Sequence, residues 1–253
     1  MPSFLKNHPF GVEAFFESST VLAFAVPKEE LEPLIPESLA LDLFEAKWAF
    51  VAVAMVETSG LRPKGFPKIF GRDFFLIGYR IFVKYRTSAG KRLRGLYIIR
   101  SETDKRSMGF FGNLFTHYNY NQTDINIEKK EGHKIITSEK SNFVLDIQEN
   151  QENISLPKDS PFPSWKEARR YAGPLPFTFT YNERKREMLI IEGVRSNWEP
   201  KPLKVNRYRS EYIESLALKD IVLANAFVVN QIPYYWKKGK TDPWKKEENF
   251  KGY

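Results

Sequence analysis

The chain has 253 residues, of which 42% are hydrophobic, 15% aromatic and 28% charged, a balance that excludes wholesale disorder and leaves room for a sizeable β-rich core. It contains no cysteine, which excludes disulfides, thiolate catalysis, iron–sulfur clusters and Cys-based zinc sites. Lys and Arg number 39 against 31 Asp and Glu, but the excess is scattered and carries no zinc-finger, helix-turn-helix or RNP-like signature, so we expect solvated basic surface and no nucleic-acid partner.

The N-terminal MPSFLKNHPF has no continuous apolar stretch, and no apolar run approaches the roughly 18 residues of a membrane span. The expectation is a cytoplasmic protein with no signal peptide and no membrane partner. Thr20–Val26 reads as a strand, and PKEELEPLIP as a short helix starting near Pro27. Lys47–Glu57 (KWAFVAVAMVE) reads as a central strand covered on both faces. Trp48, Phe50, Ala52 and Ala54 share one face, and Ala49, Val51, Val53 and Met55 the other. Phe74–Tyr85 and Leu93–Ile99 continue the pattern, joined by RTSAGKR as a hairpin loop. Thr123–Glu128 alternates as a half-exposed strand, and Lys134–Ile147 supplies two more.

A polar stretch over 148–164 is the longest surface connection. Ser164–Trp165–Lys166–Glu167 has the spacing of a capping box, with Gly173 and Pro174 ending that helix. Extended segments follow near 175–181, 187–196 and 202–212. The apolar spacing of KDIVLANAFVV, 219–229, then predicts a closing helix. The basic tail at about 236–253 holds six lysines and three acids, and should pack Trp236 and Trp244 while exposing its charges. No repeat or linker divides the chain, so a single domain over 1–253 is expected, mostly antiparallel β with a few short helices. No phosphate loop, dinucleotide fingerprint, nucleophile elbow or metalloprotease motif occurs, and His8, His117 and His133 lie far apart. No cofactor and no metal are expected.

Certain stretches resemble a known family. VPKEELEPLIPESLALD and KWAFVAVAMVETSGL are similar to the N-terminal half of acetoacetate decarboxylases, through Pro36, Glu37, Leu39, Met55, Glu57, Thr58, Ser59, Gly60 and Leu61. WKEARRYAGPLPFTFTYNERKREMLIIEGV, with Trp198 after it, resembles their C-terminal portion. The centre, YRIFVKYRTSAGKRLRGLYIIRSETDKRSMGFFGNLFTHYNY, is nearer to an uncharacterised bacterial family related to those decarboxylases. Arg80 matches its strand arginine and Glu102 its acidic position, while Leu76 and Gly78 replace two polar residues. The resemblance covers nearly the whole chain and implies a closed, cone-like antiparallel β-barrel with flanking short helices and an interior pocket.

Acetoacetate decarboxylases form a Schiff base on a lysine whose pKa is depressed by an adjacent cation. Laid on this chain, the family's lysine pair falls at Thr116 and His117, its pocket arginine at Glu17 and its pocket glutamate at Val51. A threonine hydroxyl forms no imine, so Schiff-base decarboxylation is not expected. By the same resemblance His117 is the candidate general acid or base, or else a structural histidine. Arg80 is the candidate clamp for a carboxylate or phosphate, or else pairs with Glu102. Thr116, Tyr118 and Tyr120 join Arg80 and Glu102 as candidate binding residues, with core packing the alternative for the tyrosines and for Trp198. Arg80 and His117 are expected to point into one cavity with an anion between them. Two functions stay open: a cofactor-independent lyase or hydrolase acting on a small carboxylated or keto-type metabolite, and a non-catalytic binder of such a ligand. A homo-oligomer is compatible with either.

Overall fold

The computed structural model describes residues 5–148, 153–171 and 175–245. Strand β1 (Val12–Pro27) leads through helix α1 (Lys28–Leu31) and the short β2 (Ala40–Leu41) into three long strands, β3 (Trp48–Pro63), β4 (Arg72–Arg86) and β5 (Arg92–Thr103). Helix α2 (Arg106–Phe115) follows, then β6 (Tyr120–Gln122), β7 (Asn126–Lys130), β8 (His133–Ser138) and β9 (Phe143–Gln148). The last third holds α3 (Trp165–Arg169), β10 (Phe177–Asn182), β11 (Glu187–Arg195), β12 (Lys201–Pro202), β13 (Lys204–Ser210), α4 (Glu211–Ser215), β14 (Val222–Trp236) and β15 (Lys240–Pro243).

The main sheet closes into a ring, in the order β14, β1, β3, β4, β5, β10, β11 and back to β14. The mainly β fold with few short helices is as expected from the sequence. One junction of the ring departs from the antiparallel expectation: β10 joins β5 in parallel, through Phe177–Phe179 beside Gly95–Tyr97. A second, antiparallel sheet of β13, β9, β8 and β7 covers part of the ring's outer face. Its Ile136, Phe143, Leu145 and Ile147 share a core with Ala49, Val51, Val53 and Met55 of β3. Phe50, Ala52 and Ala54 pack on the opposite face of β3, in a separate core. Both faces of β3 are therefore covered, and β1 and β4 flank it as a central strand.

Local chemistry explains the connections. The hairpin between β4 and β5 turns at Gly90, whose φ of +79° suits glycine. Ser164 caps α3 by accepting from the Glu167 amide at 3.3 Å. The proposed stop of that helix at Gly173–Pro174 lies outside the described residues. The segment leading into α3 covers one end of the ring, where Phe162 stacks on Phe50 with ring centroids 5.4 Å apart.

The expected closing helix over 219–229 is a strand. Residues 222–229 lie in β14, which pairs with β1 along almost its whole length and with β11 at its end. Because β14 is the strand that shuts the ring, Ala224, Asn225, Ala226 and Phe227 are all buried, and a run of buried residues has no alternation to reveal a strand. In the tail, Trp236 packs inside the ring and Trp244 meets Tyr181 at 5.4 Å, while β15 adds a strand beside β11. Residues 246–253 lie outside the described residues.

Asp124 organises the turn between β8 and β9. Its carboxylate accepts from Ser138 Oγ at 2.8 Å, the Lys140 amide at 2.9 Å and the Glu139 amide at 3.2 Å. These bonds, the Lys140 amide foremost, lower its pKa from 3.8 to about 2. A depressed folded-state pKa means that the contribution is present above pH 3.8 and lost as the pH falls toward 2. Asp124→Asn should flatten the thermal midpoint across that window, relative to the wild-type chain, and leave it parallel above it.

Candidate site inside the ring

Arg80 sits on β4 opposite Ala52 of β3 and Ile98 of β5. The groups whose charge it feels include Tyr234 on β14 and Arg195 on β11, although two strands separate β4 from each around the ring. Strands so placed face one another across the inside of the ring, so the face bearing Arg80 is the inner one. Small residues make room there: Ala52, Ala54 and Gly78 share this face. The Arg80 guanidinium folds back over Gly78, where a Cβ would stand 3.0 Å from both Nε and Nη2. Its Nε is buried and has no hydrogen-bond partner.

Arg195 comes from the opposite side of the ring. It pairs with Tyr234 across the β11–β14 junction, and its Nη1 donates to the Tyr234 hydroxyl at 3.2 Å. Its guanidinium lies 4.5 Å from the Trp198 ring centroid and 5.5 Å from that of Tyr234. Nε and Nη2 of Arg195 are buried and unpartnered. Neither arginine has a carboxylate within ion-pair distance among the described residues. A cleft of roughly 650 Å³, lined among others by Ala14, Arg195 and Tyr234, opens beside this pair.

Phenols complete the set. Tyr118 is buried and shares a 2.7 Å hydrogen bond with Thr178. Tyr120 lies over Gly112, where a Cβ would fall 2.4 Å from its ring. Tyr234 stacks on Phe16 with centroids 4.6 Å apart. Burial raises the Tyr118 phenol above its ordinary range and pushes that of Tyr120 up to about 12, with Arg80 opposing both. These hydroxyls are therefore neutral donors at neutral pH. Burial and then Arg195 pull the Arg80 pKa down, while Tyr234, Tyr120 and Tyr118 oppose; a guanidinium stays charged under such shifts.

The structure thus brings together Arg80, Tyr118 and Tyr120, keeps Thr116 beside Tyr118, and leaves Glu102 and His117 apart from them. Glu102 is fully buried, but it lies opposite Ile77 on the outer face, and its Oε1 accepts from Arg100 Nε at 2.8 Å. It is no partner for Arg80, which corrects that alternative. Thr116 spends its hydroxyl on the end of α2, donating to the Gly112 carbonyl at 2.7 Å. His117 is exposed; partial burial and then Lys6 lower its pKa, and Arg80 is not among the groups it feels. The expected shared cavity of Arg80 and His117 is not formed, because along 116–120 the even positions turn inward and His117 outward. Arg195 and Tyr234 are the members that sequence reasoning missed. Among the described residues no cluster of His, Asp and Glu could hold a metal ion, and no helix is long and apolar enough to cross a membrane.

The DUF2071 family, an uncharacterized conserved protein, matches residues 14–232. The chain belongs to this family. A search of curated proteins finds no match. Among solved structures, acetoacetate decarboxylase from Legionella pneumophila superposes with a TM-score of 0.58 at 15% identity, covering 95% of this chain and 91% of that one. An acetoacetate decarboxylase-like enzyme from Sphingomonas wittichii gives 0.55 at 10%, covering 95% and 94%. The enduracididine biosynthesis enzyme MppR, complexed with pyruvate, gives 0.55 at 10%, covering 92% and 90%. At such identities the likeness establishes an acetoacetate decarboxylase-like fold.

Proposed function

We propose that this DUF2071 protein binds a small carboxylated or keto-type metabolite inside its ring, anchored by Arg80, and does so without Schiff-base chemistry. The observation that carries the reading is the buried, unpartnered Nε of Arg80 on the inner face, with Tyr118 and Tyr120 beside it. A buried cation without a partner costs several kcal/mol, and a ligand carboxylate offsets that cost. The neutral phenols can donate to the carbonyl or carboxylate of the same ligand. MppR, a protein of the same fold, holds pyruvate.

Neither Lys84 nor Lys105 offers a free, buried amine for imine chemistry. Lys84 is ion-paired with Asp42 at 3.1 Å and Lys105 with Asp104 at 3.1 Å, and both are exposed by a third or more. With His117 outside the ring, the geometry favours a binder over a His117-dependent lyase or hydrolase.

Thermal unfolding of the wild-type chain with pyruvate, acetoacetate or acetate should show concentration-dependent stabilisation, about 2.7 kcal/mol at a hundredfold excess over Kd. Arg80→Met, which keeps length and loses charge, should remain folded and lose the response. Borohydride added with acetoacetate should leave every lysine unmodified by mass spectrometry. A ligand response that survives in Arg80→Met, or a reduced lysine adduct, overturns the corresponding half of the proposal.

A further inference from the structure

Two features of the inner face go beyond a site for one carboxylate. The first is charge. Arg195 is near enough to act on Arg80, the phenols around them are neutral, and neither arginine has a carboxylate partner among the described residues. Glu13, the acid lining the adjacent cleft, is paired with Arg62. One bound carboxylate would leave a second cation on the inner face of the ring unanswered.

The second is shape. The Nε–Nη2 edge of a guanidinium is a fork that matches the two oxygens of a carboxylate. On Arg195 that edge is the unpaired one, since Nη1 is occupied by Tyr234 while the buried Nε and Nη2 have no partner. On Arg80 the corresponding edge lies against Gly78, whose missing Cβ would stand 3.0 Å from both atoms, and the buried Nε has no partner. Two guanidinium groups on opposite walls, each with buried and unanswered nitrogens, ask for two carboxylates.

We infer that the ligand is a dicarboxylate, one carboxylate held by the Arg80 guanidinium and the other by the Arg195 fork, with its carbon chain spanning the ring beneath Tyr118 and Tyr234. This rests on the anion-binding reading above and specifies its substrate class. Arg195 is then a specificity-determining residue: it selects the second carboxylate, while Arg80 anchors the first.

The test uses the full chain and a series from malonate to adipate, with butyrate and pyruvate as monocarboxylates and inorganic phosphate as another multiply charged anion. Affinities are read from thermal shift and titration calorimetry. One dicarboxylate of the series should bind at least tenfold more tightly than the monocarboxylates. Arg195→Met should bring that dicarboxylate down to the monocarboxylate affinity and leave the monocarboxylates unchanged, while Arg80→Met removes both. Should Arg195→Met fail to fold, Arg195→Lys retains a cation without the fork, and at least a tenfold loss for the dicarboxylate alone is expected. Monocarboxylates that bind as tightly as every dicarboxylate overturn this inference and leave the reading of the site standing; so does phosphate binding more tightly than all of them. No binding by any anion overturns the reading itself, and this inference with it.

Discussion

Replacing Gly95 with alanine is expected to open the ring, lowering stability by about 3 kcal/mol. Gly95 lies where β5 meets β10 in parallel, opposite Phe177. A Cβ there would stand 2.3 Å from the Phe177 carbonyl oxygen and 2.6 Å from the Phe179 ring. A side chain could rotate away from such a contact, but a backbone carbonyl can retreat only by pulling β10 off β5. That ladder is short, and it is the junction that ties the β4–β5 hairpin to the β10–β11 hairpin. Gly90 is the control. Its φ is left-handed, at +79°, and nothing lies within 4 Å of its added Cβ, so alanine there costs only backbone strain of about 1 kcal/mol. Chemical denaturation of both variants decides the matter: equal losses would mean that the β5–β10 seam does not hold the ring.

That seam also marks where the sequence stopped being informative. Strands bounded by a local signal could be read: β3 from its nine-residue apolar run, the β4–β5 hairpin from its Gly-containing loop, α3 from its serine cap. The pairing of Gly95 with Phe177 joins residues far apart in the chain, and no periodicity within either strand encodes a partner at that distance. Strand β14 was misread for a related reason. Its neighbours β1, β11 and β12 and the cores on both its faces bury four consecutive residues, so the period of two that betrays a half-exposed strand is erased.

Legibility of the site divides along the same line. Arg80 stood out because a cation in the middle of an apolar strand needs a reason, and Tyr118 and Tyr120 were flagged by the resemblance. His117 was flagged on the same grounds and turns outward in the bend between α2 and β6, where Asn119 takes a φ of +52° and no strand period fixes a side chain's direction. A one-residue uncertainty in such a segment therefore decides between a catalytic group and a surface one. Arg195 carried a usable signal that went unread. Gly193 and Arg195 share a face of an expected strand, and glycine within a strand marks close approach by another group. An arginine next to such a glycine has space above it that an ordinary strand would fill.

What occupies the space above Gly193 is the Tyr234 phenol, and this makes Gly193→Ala the substitution that links ring closure to the site. The added Cβ would stand 2.0 Å from Tyr234 Oη and 2.7 Å from Cζ. The phenol has little freedom to move, since its ring is held between Phe16, at 4.6 Å, and Trp236, at 4.4 Å. We expect a loss of about 1–3 kcal/mol from the forced displacement. Because Tyr234 Oη also accepts from Arg195 Nη1, its displacement frees that guanidinium to turn. The stabilisation by the preferred dicarboxylate should weaken along with the fold. Adding Tyr234→Phe removes the atom nearest the clash, so the double variant should regain part of the stability lost by Gly193→Ala while the ligand response stays weak, since phenylalanine cannot hold Arg195. Measured as a double-mutant cycle, this is a coupling of about 0.5–3 kcal/mol. Strict additivity of the two substitutions would show that Tyr234 does not lie over Gly193 in solution, and would remove the support that positions Arg195.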